Sequence, residues 1–262
     1  MLQAFVYFST LSLVRYLVFV ALAFAALWWI ARRAVAWRPA LQAGGLAPAQ
    51  LPRELWLSAA TILIGGAIAP LIIGMDWSSQ LLFYRRIDDH GWAYFFFSIL
   101  LMMLVRDALF YAFHRAMHHR RVFRFAHRTH HLSTRPDPWT AYAVHPLESL
   151  LDVVVTFLVI LFLVPKHPLA YIIFLWIDAA YAVYGHMGVE IFPRGFSRHW
   201  LGRWINTSVA HNHHHATARH NYGYYFLIWD RLLGTLDPDY DQRYDVATRP
   251  RPAANGPHPA GG

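Results

Sequence analysis

Residues 55–74, LWLSAATILIGGAIAPLIIG, run for twenty residues without a charged side chain. A helix of about twenty apolar residues is long enough to cross the hydrocarbon core of a bilayer. The composition agrees with a membrane location, because 56% of the 262 residues are hydrophobic and 16% are aromatic. The stretch therefore predicts a membrane-spanning helix, and we expect an all-α integral membrane protein.

A shorter apolar segment, 16–31, precedes this stretch. We expect it to span the bilayer with Arg15 and Arg32 extending their long side chains to opposite interfaces. A cleaved signal peptide fits less well, because the first fourteen residues carry no positive charge and the apolar run is too long. Residues 38–53 are rich in proline and glycine, which predicts a loop.

Three more apolar segments follow. Residues 92–105 predict a third span, and no helix breaker separates them from Arg106 and Asp107, so we expect this helix to continue out of the membrane. Residues 153–164 and 168–177 are short runs separated by Pro-Lys-His-Pro, which predicts a helical hairpin. The sequence thus predicts about four to five transmembrane or membrane-embedded helices.

Three short runs are rich in histidine, and they lie outside the apolar segments. Histidines three and four residues apart project from one face of a helix, and neutral imidazole is the commonest protein ligand for metals. Their nitrogens exceed what one tetrahedral zinc ion can use, so two metal ions are the simpler inference. The runs are His114-Arg-Ala-Met-His118-His119, His127-Arg-Thr-His130-His131 and His211-Asn-His213-His214-His215.

The first histidine run continues a stripe of polar residues. Asp107, Tyr111, His114 and His118 are spaced four, three and four residues apart, so they share one face of the extended third helix. This spacing predicts a site or the residues that surround one. Because the chain has no cysteine, disulfides, thiolate zinc sites and iron–sulfur ligation are excluded.

Charge predicts the orientation in the membrane. With arginines after the first and third spans, the positive-inside rule predicts that all three histidine runs form a cytosolic cap. The Arg85–Arg86 pair on the outer loop is an exception, although acidic residues lie close by. The net charge is +8, and the arginines that contribute to it lie at the ends of the apolar segments. This distribution favours an anionic membrane surface over nucleic acid as the partner of the basic residues. The arginines concerned are Arg32, Arg33, Arg38, Arg115, Arg120, Arg121, Arg124 and Arg128.

A series of motifs resembles the fatty acid hydroxylase and sterol desaturase superfamily over roughly residues 92–240. The resemblance includes the three histidine runs and a closing Trp-Asp-Arg-Leu-Leu-Gly-Thr segment. The motifs are Asp107-x-x-x-Tyr111-x-x-His114-Arg-x-x-His118-His119, His127-x-x-His130-His131, His145-Pro-x-Glu148, Gly185-His186-x-Gly188, His211-x-x-His214-His215, Asn221-Tyr222-Gly223 and Trp229–Thr235.

The resemblance implies a non-haem centre of two iron ions that uses O2 to oxidise an unactivated C–H bond of a lipid. Imidazole suits iron, zinc, copper and nickel alike, so the choice of iron rests on the resemblance. The expected substrate is a fatty acyl chain, a sterol or hopanoid, a carotenoid or an ether lipid. Without a dinucleotide fingerprint or a haem or flavin segment in the sequence, we expect a separate electron donor: a cytochrome, a ferredoxin or a flavoprotein reductase.

Hydroxylation is the expected reaction, and desaturation or ether cleavage on the same scaffold are alternatives. A zinc-dependent membrane hydrolase is a weaker one, because no H-E-x-x-H motif supplies a general base. A metal transporter is disfavoured too, since its ligands would lie at mid-membrane rather than outside the spans.

Ten histidines are candidate metal ligands. His118 and His119 are alternatives, because members of the superfamily differ in the spacing of this pair, and His186 is implied by the resemblance. The candidates are His114, His118, His119, His127, His130, His131, His186, His211, His214 and His215.

A further group of residues is expected to orient these ligands through their second ring nitrogens. A plain structural role is an alternative for each: Asp107 pairing with a neighbouring arginine, Asn221 turning the chain, Asp230 pairing with Arg231. His145 is either a ligand or a loop residue, His213 and His220 form hydrogen bonds or face solvent, and the other histidines have no predicted role. The orienting candidates are Asp107, Glu148, Asn221 and Asp230.

The chain divides into three parts on these grounds. Residues 1–91 are expected to hold N-terminal membrane helices and a linker, and residues 92–240 the fatty acid hydroxylase-like domain with the di-iron site that the resemblance implies. Residues 241–262 are expected to be a disordered tail, because their final part is too rich in proline, glycine and alanine to fold alone.

Overall fold

The computed structural model describes residues 1–32, 41, 48–74 and 80–249, which form helices and turns without a strand. A π-helical turn, Val153–Leu158, joins two of the helices into one continuous segment. In chain order the helices are α1 (Leu2–Arg32), α2 (Leu51–Gly74), α3 (Gly91–Met117), α4 (Arg120–Phe123), α5 (Arg128–His131), α6 (Pro146–Asp152), α7 (Val159–Leu163), α8 (Pro168–Gly185), α9 (Ser208–Thr217), α10 (Ile228–Leu232) and α11 (Tyr240–Ala247).

Five helical segments of the described chain are long and apolar enough to cross a membrane. This confirms the predicted all-α fold and its number of spans, and the chain is an integral membrane protein. The segments are Leu2–Leu27, Pro48–Ile72, Gly91–Met117, Pro146–Leu163 and Pro168–Gly185.

The first span differs from the prediction. Helix α1 begins at Leu2 rather than near residue 16, because residues 2–14 carry no charge and continue the helix. Arg15 therefore lies in the middle of α1, where its side chain lines an internal cavity instead of extending to an interface. The expected snorkelling of Arg15 is wrong for this reason.

Both arms of the predicted hairpin are longer than the apolar runs suggested. The first arm is the composite of α6, the π-helical turn and α7, and the second is α8. The extension draws Glu148, Asp152 and Asp178 into the spans, where Glu148 and Asp178 are buried in the protein interior. Ionisable groups in a span are expected to face the interior or a cavity, as these do.

The histidine runs lie together at one end of the helix bundle, here called the histidine pole. Helices α3 and α8 end there and α6 begins there, so their termini deliver histidines to a common region. Helix α2 also begins at this pole, because buried Glu54 accepts hydrogen bonds from Ser133 Oγ at 2.6 Å and Thr140 Oγ1 at 2.9 Å. These contacts fix the segment between α5 and α6 to the membrane helices.

One buried arginine joins three spans beneath the histidine pole. Arg106 of α3 donates two hydrogen bonds to Asp152, at 3.0 and 3.2 Å, and one to Asp178 of α8 at 3.3 Å. Tyr225 adds a hydrogen bond from its hydroxyl to Asp178 at 2.6 Å. Because an unpaired charge in this environment is very costly, the cluster holds α3, α6 and α8 in one register.

Residues 240–247, where the disordered tail was expected to begin, form helix α11. Tyr240 and Tyr244 are 2% and 0% exposed and pack with Val209 of α9 and Leu227. The tail prediction is therefore corrected for residues 241–247, because Tyr244, together with Tyr240 just before this range, supplies apolar surface that the later tail lacks. Residues 250–262 lie outside the described part of the chain.

At the opposite pole, a lysine ties the loop before α3 to the hairpin. Lys166 is fully buried, and its Nζ donates to the backbone oxygens of Leu81, Leu161 and Val164 at 2.7, 2.8 and 2.9 Å. The ammonium group has three donors, and all three are used. This contact closes the bundle at the end away from the histidines.

We expect Lys166→Met to lower the free energy of unfolding by about 2–4 kcal/mol, because three buried carbonyls lose a charged donor at once. The midpoint of thermal unfolding in detergent measures this loss. Arg85→Met is the matched control, since Arg85 is exposed at the same pole. Equal midpoints for the two variants would contradict the structural role of Lys166.

Candidate metal centre

Four helices bring the histidines together at the histidine pole. Helix α3 carries His114 in its last turn and ends at His118, and the short helix α5 carries the second run just after His127. Helix α8 ends at His186. Helix α9 starts at an N-cap, Thr207, whose side chain accepts a hydrogen bond from the Ala210 backbone N–H, and it presents the third run.

Nine of the ten candidate ligands form two adjacent groups. Within each group, one nitrogen of every residue lies within 4.8 Å of the corresponding nitrogens of the others. The rings of His131 and His215, one from each group, have centroids 5.0 Å apart, so the groups are neighbours. The first group is His114, His118, His127, His131 and His214, and the second is His130, His186, His211 and His215.

The Nε2 atoms within each group approach one another directly. A metal–nitrogen bond of about 2.0–2.1 Å places neighbouring ligand nitrogens roughly 2.8–3.4 Å apart in octahedral or tetrahedral geometry. The observed separations fall in this range: His114–His127 3.1 Å, His127–His131 3.1 Å, His186–His211 3.0 Å, His186–His215 3.2 Å and His130–His186 3.4 Å.

These short contacts are not ordinary hydrogen bonds, as His114 and His127 illustrate. Nδ1 of His114 lies 2.9 Å from the carbonyl oxygen of Tyr222, and Nδ1 of His127 lies 2.7 Å from Glu148 Oε1. A carbonyl or carboxylate oxygen only accepts, so each Nδ1 carries the proton and each Nε2 of a neutral ring presents a lone pair. Two lone pairs 3.1 Å apart repel unless a cation lies between them.

The second group repeats this arrangement. Nδ1 of His130 lies 3.2 Å from the Ala143 carbonyl and Nδ1 of His186 lies 2.6 Å from the Ala182 carbonyl, which again leaves each Nε2 as a lone pair. Burial, which disfavours the charged ring, lowers the pKa of His130 to about 4 and that of His186 to about 3. Neutral rings with free Nε2 atoms fit a metal ion.

Two further members of the first group also have an Nε2 atom that is free to bind a metal ion. The Nε2 atoms of His118 and His214 are buried and have no hydrogen-bond partner among the described residues. Nδ1 of His214 lies 2.6 Å from the carbonyl of His220, so this ring too is oriented through its second nitrogen. A buried nitrogen without a partner is costly in an apo protein and is explained by a bound ion.

Among the four predicted orienting residues, Glu148 alone touches a clustered histidine through its side chain. Its contact with Nδ1 of His127 holds the ring with Nε2 directed at the group. The other orienting contacts come from backbone carbonyls, at Ala143, Ala182, Tyr222 and His220. Sequence reasoning missed these four, because a carbonyl belongs to every residue and carries no signal in the sequence.

Asp107 acts on the loop that follows α9 rather than on a histidine. Its Oδ1 accepts hydrogen bonds from the backbone N–H groups of Tyr224, Tyr225 and Phe226, at 3.0, 2.6 and 3.1 Å. The same loop supplies the Tyr222 carbonyl to His114. Asp107 therefore positions His114 indirectly, through this loop. The alternative structural role, pairing with a neighbouring arginine, is not observed.

Asp230 and Asn221 hold the same loop from its other side. Asp230 accepts hydrogen bonds from the Tyr222 and Gly223 N–H groups, both at 2.8 Å, and does not pair with Arg231. Asn221 has a left-handed backbone, φ +60°, and its side-chain amide donates to the Ala210 carbonyl of α9 at 3.0 Å. Asn is one of the few residues that adopts this conformation readily, so the turn after the third run depends on it.

Several histidines lie outside the two groups. His119 is exposed and precedes α4, so of the alternative pair His118 is the one that the structure brings to the first group. Nδ1 of His145 accepts the Leu147 N–H at 3.2 Å and caps α6, which is the loop role of the two considered. His213 lies 3.4 Å from Asp237, as expected for a hydrogen-bonding residue.

The remaining histidines have local roles or none. His90 and His167 flank helices α3 and α8 at the opposite pole, where His167 Nδ1 accepts the N–H of Leu169 at 3.2 Å. His199 is exposed. His258 lies outside the described residues.

A cavity of about 190 Å³ is lined by histidines of both groups and by residues of the membrane-spanning helices. Histidines from both groups form its upper wall, and aromatic side chains such as Phe110, Phe113 and Phe157 form part of its sides. Its deeper part is lined by polar residues of α1, α2, α3 and α8, namely Ser12, Arg15, Thr61, Arg106 and Asp178. The contribution of α1 and α2 to this cavity is not evident from the motifs, all of which lie after residue 92.

Fold and site together define an integral membrane protein with two adjacent groups of histidines that could each hold a metal ion. The sequence profile of the family described as "Fatty acid hydroxylase" matches residues 99–235, just over half of the chain and the region that carries all nine clustered histidines. The chain therefore belongs to this family, within the fatty acid hydroxylase and sterol desaturase superfamily that its motifs resemble.

Named relatives agree with this membership. A Delta(7)-sterol 5(6)-desaturase of Gibberella zeae is 32% identical over 179 residues, which cover 66% of the chain and 53% of that protein. Lathosterol oxidase of Rattus norvegicus is 30% identical over 155 residues, covering 58% and 50%. A Delta(7)-sterol 5(6)-desaturase of Aspergillus fumigatus is 30% identical over 184 residues, covering 60% and 56%. The chain spans about half the length of these relatives, and no solved structure matches it.

The metal-free protein should lose stability as the pH falls from about 6.5 to about 4. Burial lowers the pKa of His130 to about 4, so in this window the unfolded chain binds protons that the folded chain does not. Above pH 6.5 this difference in protonation adds about 3 kcal/mol to the free energy of unfolding, relative to its value below pH 4. The addition is lost as the pH falls through this window. Thermal unfolding of chelator-treated protein against pH measures the effect, and an unchanged midpoint between pH 6.5 and 4.5 would contradict it.

Substituting the neighbouring histidines 118 and 119 separates a ligand from a surface residue. We expect His118→Gln to weaken metal retention by at least about 10-fold, because the first group loses a nitrogen, and His119→Gln to leave it unchanged. Metal content after dialysis against a chelator series measures both. Weaker metal retention in His119→Gln than in His118→Gln would instead identify His119 as the ligand.

Proposed function

We propose that the chain oxidises C–H bonds of a membrane lipid in an O2-dependent reaction, with two iron ions held by the nine clustered histidines. The observation that carries the proposal is the position of the two histidine groups, five of whose members line a cavity that extends into the membrane-spanning part of the bundle. The five are His114, His127, His130, His186 and His211. A lipid enters such a cavity without leaving the bilayer. Family membership and the names of the relatives support the reaction class.

When bound, the iron ions supply the activation of O2 and the abstraction of hydrogen from carbon. The protein supplies the surroundings of that chemistry. Glu148 and the four backbone carbonyls fix the rings in the tautomer that offers Nε2 to the metal. Phe110 and Phe113 give the cavity apolar walls beside the histidines, which keeps water from the reacting carbon.

Among the possible reactions, desaturation has more support than the hydroxylation expected from the sequence. The curated relatives quoted above carry the names of sterol desaturases or of lathosterol oxidase. Desaturation removes two hydrogens from adjacent carbons, and O2 takes these together with two electrons and two protons to form two molecules of water. Hydroxylation consumes the same electrons and protons but leaves one oxygen atom on the lipid.

We place the histidine pole on the cytosolic side, where a separate electron donor reaches it. Between α3 and α5 an exposed basic surface surrounds the first group, as the positive-inside rule requires of a cytosolic face. The same surface suits a donor protein with an acidic face, since complementary charge speeds association. The arginines of this surface are Arg115, Arg120, Arg121, Arg124 and Arg128.

The test combines metal analysis with turnover of a Δ7-sterol, supplied with NADPH, a ferredoxin and its reductase. We expect about two irons per chain, O2 uptake that depends on the sterol, and a product lighter by the mass of two hydrogen atoms. His214→Ala should abolish turnover and lower bound iron, whereas His199→Ala, at an exposed site, should change neither.

A product heavier by one oxygen atom would keep the oxidation and replace desaturation by hydroxylation. Tightly bound zinc without O2 uptake in the presence of any tested lipid would overturn the proposed function in favour of a hydrolase.

A further inference from the structure

The deep end of the cavity contains two polar groups that the protein leaves unsatisfied. Arg15 of α1 and Thr61 of α2 both line the cavity. Their Nε and Oγ1 atoms are buried and have no hydrogen-bond partner among the described residues. Because buried polar atoms in membrane proteins are almost always paired, two such atoms in one cavity indicate a ligand group that pairs with them.

Arg15 differs in this respect from the other arginine of the cavity. The guanidinium of Arg106 is neutralised by Asp152 and Asp178, with hydrogen bonds from three of its nitrogens. Arg15 forms no ion pair within the described chain. Its guanidinium interacts with the Tyr142 hydroxyl through a hydrogen bond and, at longer range, with Asp178 and Tyr171, while its Nε has no partner among the described residues. It therefore retains a charged donor for an oxygen that is not part of the protein.

The position of this donor limits where the oxygen lies on the substrate. Arg106 and Asp178, which line the same part of the cavity, each precede a clustered histidine by eight residues, about 12 Å along α3 and α8. Helical side chains tilt towards the helix N-terminus, so His114 and His186 reach down into this interval while Arg15 reaches in from α1. Only a few carbon atoms of lipid fit between the guanidinium and the metal-binding nitrogens.

The size of the cavity leads to the same conclusion. Pockets that enclose a whole drug-sized ligand measure roughly 300–1,000 Å³, whereas this cavity measures about 190 Å³. It encloses the polar end of a lipid and the adjacent carbons, and the rest of the molecule lies between the helices. A long unsubstituted hydrocarbon chain would leave Arg15 and Thr61 unpaired.

We propose that Arg15, with Thr61, binds an oxygen of the substrate lipid, and that the substrate is an oxygenated lipid oxidised a few carbons from that oxygen. The hydroxyl of a sterol and the carboxylate of a fatty acid share the required acceptor chemistry. The inference deepens the proposed function and rests on it for the identity of the cavity as the substrate site. Both residues lie outside residues 99–235, so they would set specificity apart from the family's shared motifs.

The experiment measures binding of three probes to the metal-loaded protein in phosphatidylcholine nanodiscs, without an electron donor so that no turnover occurs. The probes are a radiolabelled 3β-hydroxysterol, its 3-deoxy analogue and palmitate. The variants are Arg15→Met, of similar length without the charge, and Thr61→Val, of the same shape without the hydroxyl. Thr10→Val, exposed on α1, and Arg86→Met, exposed at the opposite pole, are the controls.

We expect the wild type to bind an oxygenated probe about 10- to 100-fold more tightly than the deoxy analogue, as a hydrogen bond from a charged donor allows. Arg15→Met should lose this preference and Thr61→Val a smaller part of it, with unchanged metal content and unchanged binding of the deoxy analogue. Arg15-dependent binding of the sterol or of palmitate identifies which oxygen is bound.

Equal binding of oxygenated and deoxygenated probes by the wild type, or a full preference retained in Arg15→Met, would overturn the inference. Failure of the proposed function looks different. In that case Arg15-dependent binding persists, but no lipid is oxidised when electrons are supplied. Oxidation that proceeds equally well on the deoxy analogue overturns the role of Arg15 and leaves the proposed function in place.

Discussion

The centre depends on imidazole lone pairs that face one another at close range. In both groups Nδ1–H donates a hydrogen bond to an acceptor oxygen, so the single proton of the neutral ring stays on Nδ1 and Nε2 presents a lone pair. Burial keeps the ring neutral. Such an arrangement is repulsive until a cation enters it. The fold overcomes this repulsion with rigid supports, since the termini of α3 and α8 and the short helix α5 hold the rings from different directions.

The membrane imposes a second constraint on the same helices. Arg106, Asp152 and Asp178 are charged residues in membrane-spanning segments, and they persist because each is paired with a group from another helix. The cluster lies directly below the histidines and lines the same cavity. The ion pairs between Arg106 and the two aspartates therefore hold the spans in register and also determine how deep the cavity is below the histidines.

Much of this arrangement was predictable from the sequence, and the reasons are local. Charge-free runs such as 55–74 predict spans, and the three- and four-residue spacing of His127, His130 and His131 predicts rings on one side of a short helix. The sequence does not predict the start of α1, because the single arginine at position 15 resembles a residue at the end of a span. Side-chain spacing does not predict which backbone carbonyl accepts a hydrogen bond from which imidazole ring, because that depends on the tertiary fold.

Neighbouring histidines in the sequence belong to different groups, which affects how metal ions bind to the two positions. His130 and His131 belong to different groups, as do His214 and His215, so helices α5 and α9 each bridge the two positions. An ion that enters one position would remove the lone-pair repulsion in its group, and it would thereby stabilise the helix that also carries ligands for the other position. Loading should then be cooperative, with a half-filled protein rare at any ion concentration, and removal of one ion should promote departure of its neighbour.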